Sequence, residues 1–135
     1  MKQTLQPGYG KVVVTGLSME QAVERAKALL KEEGFGVLCE IDVRKTLQEK
    51  LGADFRPYRI LGACNPGLAH EALLRDPQLG LLLPCNLVVQ EEDNQTVVSA
   101  IDALAMLSFS KTADLTPIAQ EANERLSRVL ERMAS

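Results

Sequence analysis

Apolar residues recur along this chain in two periods, and the switches between them mark out its elements. Lys11 to Thr15, with three consecutive valines, predicts a short strand. Ser18-Met19-Glu20-Gln21 then has the form of a capping box, in which each end satisfies an orphan N–H of the other. Ala22, Val23, Ala26, Leu29 and Leu30 follow at helical spacing, and Gly34 stands where a left-handed cap closes a helix. Gly36 to Asp42 alternates as a strand, with Val37, Cys39 and Ile41 on one face and Leu38, Glu40 and Asp42 on the other. Val43, Leu47 and Leu51 predict a short helix, stopped by Gly52. Tyr58 to Ala63 is the next strand, with Tyr58, Ile60 and Gly62 sharing a face. Asn65-Pro66 supplies a favoured N-cap and N1 pair for a third helix to about Arg75, and Asp76-Pro77 ends it.

Cys85 to Glu91 and Gln95 to Ile101 read as strands joined by a hairpin turn at Glu92-Asp93-Asn94. The last third predicts a long helix from about Leu115 to Met133, with an apolar stripe from Ile118 through Leu126 to Met133. Glu121–Arg125 and Glu124–Arg128 are i,i+4 pairs in the favourable orientation, each adding a few tenths of a kcal/mol. The order is β-α-β-(α)-β-(α)-β-β-α, with one βαβ unit available at the start and a hairpin near the end. The expected class is α+β, with a mostly antiparallel sheet of about five strands and a long C-terminal helix. A single domain over 1–135 is the simplest division, because that length buries one core without metal or disulfide staples.

Composition narrows the function classes. Apolar residues at 46% and charged residues at 24% are ordinary for a soluble globular chain. A net charge of −3, both signs interspersed, with three Phe, two Tyr and no Trp, gives neither a basic stripe nor stacking platforms, so no nucleic-acid partner is expected. No apolar run approaches the roughly 18 residues of a membrane span, and Met1 to Gly10 has no apolar leader core. A cytoplasmic protein with no membrane partner is the expectation. Three widely spaced cysteines without a C-x-x-C fit reduced thiols better than a disulfide framework or a zinc ribbon.

Chemically versatile residues concentrate in two Cys-Asn dipeptides beside prolines, Cys64-Asn65-Pro66 and Pro84-Cys85-Asn86. Cys64, Asn65, Cys85 and Asn86 are the candidate ligand-binding residues. A thiol just before a helix start, as at Cys64, is favoured as thiolate unless buried among apolar groups. The plainer account is that Asn65 and Pro66 begin a helix and the cysteine is core. Asn86 has no helix to cap and lies in a strand, where Asn is depleted. A buried Asn there needs partners, supplied by the Asn65 loop or by a ligand. A metal site from Cys39, Cys64, Cys85 and His70 lacks chelating spacing, so no metal and no cofactor are expected. Glu40 and Asp42 share a strand face as an acid/base or hard-cation pair, with cross-strand pairing to Arg44, Arg56 or Arg59 as the simpler account. His70, the sole histidine, reads as a solvated helix position. No Ser-His-Asp order, phosphate loop or H-E-x-x-H occurs.

The run Gly34-Phe35-Gly36-Val37-Leu38, Glu40-Ile41-Asp42, Lys50-Leu51-Gly52, Tyr58 through Pro66 and Leu82 through Asn86 resembles domain-of-unknown-function family 302 of bacteria and archaea. That resemblance implies a TATA-box-binding-protein-like β-α-β(4)-α fold with two extra helices, a homodimer, and no catalytic residues. Fold likeness imports no DNA binding. Many relatives carry Asp-Pro after the hairpin where this chain has Asp102-Ala103, which puts a role for that proline in doubt. The expected function is therefore a dimeric, non-enzymatic binding protein with a small-ligand or partner pocket near the Cys-Asn motifs. Two other readings stand beside it: a thiol-dependent enzyme or redox sensor using Cys64 or Cys85, and a purely structural interaction module.

Overall fold

The computed structural model describes residues 6–134, so the reading of Met1 to Gly10 falls partly outside the described residues. Strands β1 (Gly10–Thr15), β2 (Gly36–Asp42), β3 (Tyr58–Cys64), β4 (Cys85–Glu92) and β5 (Gln95–Ile101) form one sheet in the order β1-β5-β4-β3-β2. Every neighbouring pair is antiparallel. The βαβ unit expected at the start is therefore not a parallel pair: β1 and β2 lie at opposite edges, and the helix between them crosses the whole sheet. The class is α+β, and the order fits the TATA-box-binding-protein-like arrangement.

Helix α1 (Met19–Glu32) begins at the expected box, with Ser18 Oγ accepting the Gln21 N–H at 3.3 Å and Gln21 Oε1 accepting the Ser18 N–H at 3.1 Å. It buries Ala22, Val23, Ala26, Leu29 and Leu30, each large side chain contributing about 1.5–3 kcal/mol of transfer free energy. Helix α5 (Thr116–Ala134) lies beside it and buries Ile118, Ala122, Leu126, Val129, Leu130 and Met133. Both cover the sheet face formed by Leu61, Ala63, Leu87, Val89, Val98 and Ala100. Arg125 pairs with Glu121 at 2.8 Å as expected, but Arg128 turns to Glu33 at 2.9 Å and ties α5 to α1.

Helix α2 (Val43–Leu51) is capped by Asp42, stops at Gly52 with φ of 63°, and buries none of its residues. Helix α3 (Pro66–Arg75) runs into a 3-10 turn, Pro77–Leu81, before the cis Leu83–Pro84 bond. The β4–β5 hairpin closes through Asp93 and Asn94, both at positive φ as a type I′ turn requires. A five-residue helix, α4 (Ala103–Leu107), has no counterpart in the sequence reading. The regular alternation expected for β2 also fails. Val37 pairs with Ala63 and Cys39 with Gly62, so Leu38 is an extra bulged residue, and Val37 and Cys39 lie on opposite faces. Among the described residues no helix is long and apolar enough to cross a membrane.

Candidate functional site

Sheet register brings the two Cys-Asn segments side by side, with Ala63 opposite Cys85 and Gly62 opposite Asn86. Alternation then sends them to different faces. Cys85, with Leu87 and Val89, points into the helix-covered core, while Asn86 is exposed on the open face with Val88 and Gln90. The expectation of a buried Asn86 tied to the Asn65 loop is thus corrected: α1 and α5 pack on the other side of the sheet and leave Asn86 exposed. Among the described residues its side chain has no hydrogen-bond partner. Beside it, a Cβ at Gly62 would meet Cys39 Sγ at 2.5 Å and Pro84 Cγ at 2.9 Å, so a larger residue there would have to displace the Cys39 side chain and the Pro84 ring.

The first dipeptide behaves as a helix start. Asn65 Oδ1 accepts the Leu68 N–H at 3.2 Å, and Pro66 occupies N1. Gly34, at φ +84°, leaves room where a Cβ would meet Asn65 Nδ2 at 3.1 Å and an Arg125 nitrogen at 3.2 Å. Arg125 donates to the Glu33 carbonyl at 2.8 Å, pinning the loop before β2 against α5.

Between that loop, α3, α4 and α5 lies a cavity of ≈ 150 Å³. Phe35, Leu68, Ala72, Met106 and Ile118 line it together with Cys64, Asn65 and Cys85. Its lip carries Leu38, 71% exposed because the bulge turns it outward, and Leu73 at 37%. Burial pushes the Cys85 thiol up to about 11, and the nearby Cys64 sulfur acts in the same direction. Cys85 is therefore protonated at neutral pH, which removes it as a resting thiolate.

The α4 wall is the part the sequence reading missed, and Asp102 was its signal. Asp102 Oδ1 accepts the N–H groups of Leu104 at 2.9 Å and Ala105 at 3.3 Å, as an N-cap does. Asn123 Nδ2 donates to the same oxygen at 2.8 Å, and Asn123 Oδ1 accepts the Ala103 N–H at 2.7 Å. The Asn123 hydrogen bond, helped by those two amides, holds the Asp102 carboxyl below its ordinary range. Ala103 therefore uses the very N–H that a proline at this position would lack.

The opposite face carries a shallow trough of ≈ 540 Å³ floored by Val12, Val88 and Ser99, with Asn86 at one end. Arg56 stands at the other, 4.5 Å over the Phe55 ring, donating to Gln90 Oε1 at 2.8 Å and paired with Glu92 at 3.4 Å.

Glu40 and Asp42 are structural. Lys27 lies 2.7 Å from Glu40, while Arg59 contacts Glu40 at 2.8 Å, Glu20 at 2.8 Å and Asp42 at 3.6 Å. The Lys27 hydrogen bond, with a second from Arg59, holds Glu40 below the usual carboxylate range, which suits an ion pair and not a general acid. His70 is exposed on α3. Cys39 sits over Gly62 on the open face and Cys85 on the other, so the four soft ligands do not converge. Among the described residues no group of three or more His, Cys, Asp or Glu could hold a metal ion.

The chain is similar to known proteins at two levels. The model of the family described as Domain of unknown function DUF302 matches residues 11–133. The crystal structure of an uncharacterized conserved protein DUF302 from Bacillus stearothermophilus superposes with a TM-score of 0.86 at 35% identity, over 93% of this chain and 98% of that one. No curated protein matches.

Proposed function

We propose, from the premise that this chain belongs to the DUF302 family, that it is a dimeric binding protein and not an enzyme, taking a small ligand in the cavity beneath α3. One observation carries this: an apolar cavity of ≈ 150 Å³ stands open between Leu38 and Leu73 where a core of this size is normally filled. Four of the residues with candidate chemistry are otherwise engaged. Cys85 is held as a thiol, Glu40 and Asp42 lie in ion pairs, and Asn65 caps a helix. Native mass spectrometry of the freshly purified protein, followed by a thermal-shift screen, tests the reading. A retained or added small molecule should raise the melting temperature of wild type and not of Ala69→Leu, which fills the cavity. Ligands that shift both proteins equally count against this site.

The second copy belongs on the open sheet face. Ile41, Ile60, Val88 and Val12 run across it, with Ser99 between the valines. Among the described residues its charged groups, Arg56 and Glu92, pair at 3.4 Å, so the face presents little net charge to a second copy despite the net −3 of the chain. Sedimentation at tens of micromolar should give a dimer, and Val88→Arg should give a folded monomer. A wild-type monomer at that concentration refutes dimerisation.

A further inference from the structure

We propose that the cavity beneath α3 selects an uncharged aromatic ring, an inference that rests on the binding reading above and gives its ligand a chemical class. Three sulfur-bearing side chains, Cys64, Cys85 and Met106, line this one space together with the Phe35 ring. Sulfur is polarisable and packs well at ring edges, and aromatic pairs gain from edge-to-face geometry. Such a wall favours a π-system over a saturated group of equal size. No Asp, Glu, Lys, Arg or His lines the cavity, so a charge brought into it would lose water without gaining a partner. Asn65, the polar lining residue, has its oxygen committed to the Leu68 N–H. The space of ≈ 150 Å³ is enough to hold a benzene-sized molecule. A larger ligand therefore inserts one ring and leaves its remainder at the lip, where bulged Leu38 and Leu73 offer exposed apolar surface.

Toluene, methylcyclohexane and benzoate, similar in size and differing in π-character or charge, form the test. Each is titrated into full-length protein carrying 13C-methyl methionine, with the Met106 methyl resonance as the readout and Met106→Leu to assign it. Toluene should shift that methyl saturably. Methylcyclohexane should bind about two- to tenfold more weakly, the range expected from sulfur–aromatic contacts. Benzoate should bind at least about tenfold more weakly, since its carboxylate must be desolvated. Ala69→Leu should abolish the toluene shift while still melting cooperatively; should it not fold, Ala122→Val takes its place with the same readout. If methylcyclohexane or benzoate binds as tightly as toluene and Ala69→Leu still blocks it, aromatic selectivity is overturned while the binding reading stands. If no probe moves Met106, or the filled variant responds like wild type, both fall.

Discussion

The two faces of this sheet are built from the same strands and differ by what lies above them. On one, Leu61 and Leu87 are fully buried under α1 and α5; on the other, Ile60 and Val88, their immediate neighbours in sequence, remain partly open. Cys85 and Asn86 show the contrast most sharply. Adjacent in sequence, they belong to different chemical environments, one a desolvated thiol and the other a solvated amide. Position in a strand fixes which residues share a face, but coverage by helices fixes what each face can do.

Leu87→Ala should destabilise by about 2–5 kcal/mol in urea denaturation, since it opens a hole under α1. A loss below about 1 kcal/mol would mean the covered face is not a close-packed core. Next comes thiol reactivity. A shift of Cys85 from 9.0 to about 11 lowers its thiolate fraction roughly 100-fold at neutral pH, so iodoacetamide should label it about that much more slowly than the same cysteine in urea. Labelling at the unfolded rate would restore the thiol-enzyme reading. Asp102→Ala should cost about 1–2 kcal/mol by uncapping α4 and unpairing Asn123. Because the folded state holds Asp102 and Glu40 below their ordinary values, their stabilisation is complete above about pH 4.5 and fades as pH falls through the folded values. Asp102→Ala should flatten that acid limb; an unchanged profile would exclude the Asn123 bond as its source. Smallest of all, Asn86→Ala should change protomer stability by less than about 0.5 kcal/mol. A loss of 1–3 kcal/mol, as a buried and partnered Asn86 would give, would show that the residue has partners the open face does not provide.

Local chemistry made much of this fold readable. Ser18 and Gln21 name their helix start, Gly52 names a stop, and Asp93-Asn94 names the hairpin turn, because each signal acts over three or four residues. Three features were out of reach for reasons of scale. The bulge at Leu38 leaves no mark on a two-residue period, since both alternations on either side look regular. Helix α4 is too short to show a stripe, and its one signal, Asp102, takes on meaning only when Asn123 arrives from 21 residues away. The exposure of Asn86 depends on α1 and α5 both settling on the other side of the sheet. The candidate site was thus half legible: Cys64, Asn65 and Cys85 do line a single cavity, whereas its Met106 wall and the separation of Asn86 emerge only from tertiary packing.

The bulge has one more consequence, for polymerisation. Four successive antiparallel pairings leave the edge strands β1 and β2 running in the same direction. Successive copies could in principle add edge to edge, β2 of one beside β1 of the next, and extend without closing. Leu38 interrupts the hydrogen-bonding ladder of β2 near its middle, so the free edge cannot present an unbroken template. The same extra residue that turns a leucine toward the cavity lip therefore also breaks the regular edge along which a neighbouring strand would pair.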